Sequence, residues 1–385
     1  MRILHTSDWH IGKRLMGRER LDEQSAVLDE IIEICEKEQI DLVLIAGDIF
    51  DTYTPSAEAE ELFYSKIKLV AGEDRAVLII SGNHDDGVRL SAASPLAEET
   101  GIYIVGKARK TLKIGGERRV RPVQSGKGNA VFEKENGERV FVAMLPYPNE
   151  ARFKEEKSEL SYLDQMQKWM QESEEGREAD LPSVFMSHLF VLGGQSSESE
   201  REIDLGGARA IPCDVLPKSD YIALGHLHKK QKMGAGHCYY SGSPLQYSFD
   251  ESFEKSVRVF DLTKNGVENL KEVPLTSGKK LIRLEATDVE SATTLLALYP
   301  DCLIELTLHL SEPLTSAESA LLSSSKNLIS LLTDVKTDGK IQFESRKNLS
   351  MEKLFVEYYR SQYGVEPEDE LKNLFLQVMI DLEHS

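Results

Sequence analysis

Cysteine is scarce in this chain. Its 385 residues include four, at Cys35, Cys213, Cys238 and Cys302, and no two of them form a Cys-x-x-Cys pair. That excludes a zinc ribbon and a disulfide framework, and it points to a reducing cytosol. No stretch is apolar enough to span a membrane. The opening MRILHTSDWH reaches polar residues almost at once and has no signal-peptide core. Internal repeats and low-complexity tracts are absent from the sequence. Positive charge is in deficit: 46 Lys and Arg stand against 65 Asp and Glu, a formal charge of -19. Taken alone, such acidity means a well-solvated surface and argues against binding nucleic acid. It does not exclude it, because phosphate contacts are local and bound metals are cationic.

Apolar residues make up 41% of the chain, with 13 Tyr and 13 Phe, which is enough core for two to three folded domains. The first part alternates strand and helix. RILHTS is a short apolar strand ending at Asp8, and DLVLIAGD is a continuous apolar run ending at Asp48. AVLIISGNHDD is a third, and helical patterns separate the three. Val27, Leu28, Ile31, Ile32 and Cys35 mark the first helix; Leu62, Phe63 and Ile67 mark the second, opened by Pro55-Ser56. This alternation predicts parallel pairing with helices on the faces, and functional loops past the carboxyl ends of the strands. PSVFMSHL ends at His188, and DYIALGHLH ends at His226 and His228. Two sheets face to face, flanked by helices, fit this order. Residues 151–180 read as a charged helix with Leu160, Leu163 and Met166 on its apolar face. Lys107–Arg121, KARKTLKIGGERRVR, reads as a solvated edge hairpin around Gly115-Gly116.

The strand ends collect an unusual set: Asp8-Trp9-His10, Gly47-Asp48, Gly82-Asn83-His84-Asp85, Ser187-His188 and Gly225-His226-Leu227-His228. Most are weak alone, since an Asp-x-His pair is more often a cap or turn; GNHD is sharper, because it puts polar groups at the end of a strand with no obvious structural need. Together they offer carboxylates, imidazoles and an amide but no thiolate, a donor set that suits Mn, Fe or Zn. They are too many for one ion and about right for two that share a bridging carboxylate. Glycine before Asp48, Asn83 and His226 lets the backbone turn tightly beside a crowded ion pair.

In this order, DxH, GD, GNHD, H and GHxH resemble the calcineurin-type metallophosphoesterase superfamily. ILHTSDWHIG, SHLFVLGG with the following SESER, ALGHLHK and YSGSP resemble, more closely, its SbcD family of nuclease subunits. Lys230 departs from that pattern, where a proline is expected. The resemblance implies an α/β fold: a two-sheet metallophosphoesterase sandwich flanked by helices, with a small α/β capping domain and a C-terminal helical pair. The implied boundaries are 1–276 for the nuclease domain, 277–345 for the cap and 346–385 for the helical pair. It further implies that Asp8, His10 and His228 hold one metal, that Asn83, His188 and His226 hold a second, and that Asp48 bridges them. The two ions, most plainly Mn2+, would lie roughly 3.5–4 Å apart. His84 would face the scissile phosphate as acid or charge stabiliser, and Asp85 would orient His84 through its other ring nitrogen. The implied activity is cleavage of DNA in a cytoplasmic, nucleoid-associated setting. It would act as a 3′ to 5′ exonuclease on double-stranded ends and an endonuclease on single strands and hairpins. A stand-alone phosphoesterase acting on small molecules or phosphoproteins would share every ligand.

Two assembly surfaces are expected. The helix after Pro55 (Leu62, Phe63, Ile67) and the segment after GNHD (Val88, Leu90, Leu96) would form a homodimer contact by resemblance. At the C-terminus, Leu371, Leu374, Phe375, Val378, Met379 and Leu382 form a continuous helical stripe, and Met351, Leu354, Phe355 and Tyr358 form another. Residues 348–385 would dock an SbcC-type ABC ATPase.

Overall fold

The computed structural model describes residues 1–148, 160–200, 210–251 and 254–335, with isolated positions beyond at 355, 356, 359, 367, 371 and 372. By internal contacts the chain forms two units, one of residues 1–308 with 316–332 and one of 309–315 with 333–385.

The first unit is a four-layer sandwich. One sheet contains β1 (Arg2–Thr6), β2 (Leu42–Ala46), β3 (Ala76–Ile80) and β4 (Ile102–Val105), all parallel, between which lie α1 (Leu21–Lys37), α2 (Ala57–Ala71) and the one-turn helices α3 (Gly87–Leu90) and α4 (Ser94–Ala97). The second sheet holds β5 (Val120–Gly126), β6 (Asn129–Lys134), β7 (Arg139–Leu145), β8 (Ser183–His188), β9 (Tyr221–Gly225), β10 (Gln231–Met233) and β11 (Cys238–Tyr240), with α5 (Tyr162–Ser173) packed outside. The chain then returns to the first sheet. There β12 (Ser256–Thr263) lies antiparallel beside β1, and β13 (Gly266–Pro274) forms the edge, in the order β13-β12-β1-β2-β3-β4.

The alternation of side chains sorts these strands into layers. Every residue of β2 is buried. Val43 and Ile45 face α1 and α2, packing with Val27, Ile31, Phe63 and Ile67. Leu42, Leu44 and Ala46 face the second sheet and meet Val142, Met144, Val184 and Met186. Beyond the sandwich, β14 (Leu281–Ala286), α6 (Val289–Leu298), β15 (Leu303–Leu310), α7 (Ser316–Ser323) and β16 (Leu328–Val335) make a three-stranded sheet in the order β14-β15-β16. The α/β two-sheet architecture thus agrees with the sequence reading.

Local expectations shift in several places. Phe63 and Ile67 of α2 and Leu90 of α3 are core residues with at most 2% of their surface exposed, because these helices cover their own sheet. Val88 and Leu96 do stand in solvent, at 61% and 76% exposure. The basic run is no hairpin: residues 107–119 carry no strand, and their arginines tie the loop to the fold. Arg109 pairs with Glu172 at 2.6 Å and Arg119 with Asp41 at 2.9 Å, while Arg118 donates to the main-chain oxygen of Gly72 at 2.8 Å. On α5 the buried face is Met166, Trp169 and Met170; Leu160 precedes the helix and is exposed. Most of the C-terminal stripes, including Leu374, Phe375, Val378, Met379 and Leu382, lie outside the described residues. Of the stripe residues, Phe355 and Leu371 are described and are helical, and the Phe355 ring lies 6.0 Å from that of Tyr359.

Candidate metal centre

The carboxyl ends of β1, β2, β3, β8 and β9 meet at one rim, as the parallel order requires. All nine site residues expected from the sequence converge there, and all are buried. The loops past β1 and β2 remain zipped together: the N–H of Asp8 donates to Gly47 O at 3.0 Å, and that of His10 to Asp48 O at 2.9 Å. Asp8, His10, Asp48 and His226 all adopt positive φ, of 54°, 44°, 49° and 108°. Asp and His tolerate that region better than most residues, yet each such position costs on the order of 1–3 kcal/mol. Four in one rim is backbone strain concentrated on the site, held by the surrounding fold.

Space at the rim is minimal. A Cβ on Gly82 would lie 2.0 Å from Asp48 Oδ1 and 2.3 Å from its main-chain nitrogen. One on Gly47, which itself has φ of 91°, would lie 2.4 Å from Nδ1 of His188. The glycines are therefore required by close approach of backbone to ligand-capable side chains, as well as by turning.

The donors form two clusters. In the first, Nε2 of His10 and Nε2 of His228 are 2.9 Å apart, and these two residues with Asp8 bring ligand-capable atoms within 4.8 Å of one another. In the second, Asn83 Oδ1 lies 2.8 Å from Nε2 of His188 and 3.1 Å from Nδ1 of His226. Asp48 Oδ2 sits between the clusters, 3.5 Å from Nε2 of His10 and 3.4 Å from Nε2 of His188.

The outward nitrogens explain which atoms face inward. His188 Nδ1 lies 2.8 Å from Ala46 O and donates to it, so in the neutral ring Nε2 carries the lone pair. His228 Nδ1 faces Ser199 Oγ at 2.5 Å, and His10 Nδ1 faces Asp51 Oδ1 at 3.5 Å. In this tautomeric arrangement the Nε2 lone pairs of His10 and His228 point at each other, and that of His188 points at an amide oxygen. Lone pairs this close repel unless a proton or cation lies between them.

The electrostatics agree. Burial pushes His188 down, but Asp48 and Asp8 outweigh it and carry the imidazole up to about 9. Burial likewise pushes Asp48 up, yet His188 and His84 hold it well below the usual carboxylate range. Asp8 is raised to about 6, chiefly by burial. Two desolvated carboxylates that retain a proton on a neighbouring imidazole form a centre that calls for positive charge. The donor set of carboxylate, imidazole and amide oxygen fits hard or borderline divalent ions.

His84 occupies the edge of the first cluster, its ring 4.6 Å from that of His10. Its main-chain N–H donates to Asp48 Oδ1 at 2.8 Å. Here the sequence expectation needs correction. The orienting group on Nδ1 of His84 is the main-chain oxygen of Asp51, at 2.7 Å. Asp85 instead accepts from the N–H groups of Gly82 at 2.8 Å, Phe50 at 3.0 Å and Ile49 at 3.2 Å. A short side chain one residue from His84 reaches the turn it must close more readily than the ring beside it.

Sequence reasoning missed four groups. Asp51 stands between His10, Lys13 and His84; its signal was an acidic residue three positions after Asp48, in GDIFD. Ser199 and Glu200 belong to SESER, a motif seen but given no role. Glu251 and Lys255 lie behind His228 without any motif that marks them. Tyr147 also lies against the second cluster, stacked on His226 at 6.2 Å.

Residues 1–230 match the calcineurin-like phosphoesterase family. The SbcD subunit of the nuclease SbcCD from Bacillus subtilis is 35% identical to this chain, over 100% of this chain and 99% of that protein. Its counterpart in Rhodobacter capsulatus is 34% identical, covering 77% of this chain and 75% of its own length. That of Staphylococcus epidermidis is 32% identical, over 74% and 72%. With a phosphoesterase match over more than half its length and full-length similarity to these proteins, the chain belongs to the calcineurin-like phosphoesterase family and, within it, to the SbcD family of SbcCD nuclease subunits.

Proposed function

We propose that this protein is a metal-dependent DNA nuclease that hydrolyses phosphodiester bonds with two divalent ions. One observation carries the two-ion reading: a single carboxylate oxygen, Asp48 Oδ2, stands 3.5 Å and 3.4 Å from histidines of two separate donor clusters. Asp8, His10 and His228 would hold one ion, Asn83, His188 and His226 the other, with Asp48 shared. Such ions, when bound, acidify water and neutralise negative charge on a phosphate. The chain's own part is to aim imidazole lone pairs inward, keep both carboxylates out of solvent, and place His84. With Nδ1 committed to Asp51 O, Nε2 of His84 is the nitrogen that would meet a phosphate, as proton donor to the leaving oxygen or as charge stabiliser. Manganese is the ion we favour.

Full-length similarity to an SbcCD nuclease subunit supports DNA as substrate. The activity we assign is that implied by the motif resemblance, a double-strand exonuclease of 3′ to 5′ sense with endonuclease action on single strands and hairpins. We assign residues 1–276 to the nuclease, 277–345 to a cap and 346–385 to docking an SbcC-type ATPase. Self-association would use the exposed Val88 and Leu96 with Tyr64, which is 40% exposed. A cytoplasmic setting fits the four free cysteines; among the described residues no helix is long and apolar enough to cross a membrane. The test is purified protein with manganese, offered linear DNA and p-nitrophenyl phosphate esters. DNA cleavage abolished by EDTA and restored by manganese supports the reading; hydrolysis of the esters with DNA left intact refutes it.

A further inference from the structure

Of the groups at the rim, His228 is held in a distinctive way. His188 and His84 are each oriented by a main-chain oxygen. His228 is gripped at three points by side chains. Its ring Nδ1 meets Ser199 Oγ at 2.5 Å, and Ser199 in turn donates to Glu251 Oε1 at 2.6 Å; the same Glu251 oxygen is 3.5 Å from Nδ1. Its main-chain N–H donates to Glu200 Oε1 at 2.7 Å. Its main-chain oxygen accepts from Lys255 Nζ at 3.1 Å, and Lys255 also donates to Glu251 Oε2 at 2.5 Å and to Ser243 Oγ at 2.8 Å.

Glu200, Glu251 and Lys255 are all buried. Burying a carboxylate and an ammonium costs several kcal/mol per ion, and an apolar pair of similar volume serves a fold as well or better. This pair also meets the hydroxyls of Ser197, Ser243 and Ser248, and through Ser199 and Lys255 it reaches His228 at both its ring and its main chain. The chemistry of the chain Nδ1–H to Ser199 to Glu251 is directional: it keeps the proton on Nδ1 and leaves Nε2 as the ligand atom.

We propose that Ser199 and Glu251, braced by Lys255, are positioning residues that keep Nε2 of His228 turned toward Asp8 and His10, and so set the affinity of the first ion position selectively. This rests on the two-ion reading above. The second cluster, anchored through Ala46 O, is independent of this socket.

The experiment is calorimetric titration of the full chain, stripped with EDTA, with Mn2+. It compares wild type, Ser199→Ala, Ser199→Thr and Glu251→Gln, and records the metal-free Tm of each. Wild type should take up two ions. Ser199→Ala and Glu251→Gln should weaken one of the two by ~10–100-fold, the range typical when an outer hydrogen-bond partner of a metal ligand is lost, and leave the other unchanged. Ser199→Thr, which keeps the hydroxyl, should restore it. The metal-free Tm of Ser199→Ala should match wild type. Two ions bound by Ser199→Ala with wild-type affinities overturn the inference while leaving the two-ion reading intact. So does equal weakening of both positions with a lowered metal-free Tm, which marks a merely structural role. Wild-type protein that takes up no Mn2+ overturns the two-ion reading and this inference with it.

Discussion

Replacing Gly82 by alanine probes the rim with a single methyl. The backbone of Gly82 lies outside the left-handed region, so alanine is conformationally allowed there and only space opposes it. That space is absent: the new Cβ would be 2.0 Å from Asp48 Oδ1, 2.3 Å from Asp48 N and 2.7 Å from Asp48 Cγ. A flexible side-chain tip could yield, but one of these atoms is main chain, and the segment is zipped to the loop past β1. Gly82 is also tied through its own N–H to Asp85. The two strand ends must therefore part by an amount comparable to a bond length, and Asp48 must leave its place between the clusters. Overpacking of this kind typically costs ~1–3 kcal/mol, while displacing a reacting group by about 1 Å costs ~10²-fold in rate. We expect Gly82→Ala to fold, to lose roughly that much stability in urea unfolding, and to lose ~10²-fold or more in manganese-dependent DNA cleavage. The control is Gly236→Ala, where nothing lies within 4 Å and φ is not positive; it should be neutral or stabilise by about 0.4–1 kcal/mol. Wild-type stability and cleavage in Gly82→Ala would show that Asp48 is not confined as described.

Three further outcomes follow from the proposed roles. His84→Gln should retain both ions by metal analysis yet lose ~10²–10⁴-fold in DNA cleavage, the usual contribution of a general acid; loss of an ion along with activity would make it a ligand instead. Leu96→Asp should shift the protein to monomer in light scattering if the face bearing Val88 and Leu96 is the self-association surface, and an unchanged mass would remove that face from consideration. Deleting residues 348–385 should abolish co-purification with an SbcC-type ATPase and leave manganese-dependent cleavage measurable; unchanged binding of the ATPase would place docking elsewhere.

The positions that bear chemistry were legible because each ends a strand that is buried along all or nearly all of its length. β2 and β3 read as continuous apolar runs, and a polar residue at the mouth of such a run has few structural reasons to be there. The apolar runs LIRLEA, LIELTLHL and LISLLTDV, separated by helical stretches, likewise mark β14, β15 and β16, although β16 is not buried. Pairing was less legible. Nothing in the apolar pattern of SVRVFDLT shows that β12 crosses back to lie beside β1 rather than with β11, because antiparallel partners that distant in sequence leave no local signature. The arginines of residues 107–121 looked like solvated charge, and only the fold reveals the carbonyls and carboxylates they bind. Ser199, Glu251 and Lys255 sit in polar stretches where one more polar residue carries no information. Their meaning comes from which atoms of His228 they reach, directly or through one another. The positive φ of Asp8, His10, Asp48 and His226 is equally silent in sequence, since none of the four is glycine.

In the two-ion reading, the Asp48 carboxylate joins two ion positions. Electron paramagnetic resonance of the manganese-loaded chain tests it most directly. Wild type should hold two Mn2+ per chain and give the spectrum of a spin-coupled pair, and Asp48→Ala should lose that coupling. A wild-type spectrum of isolated Mn2+ alone, at one ion per chain or at two, would contradict the account.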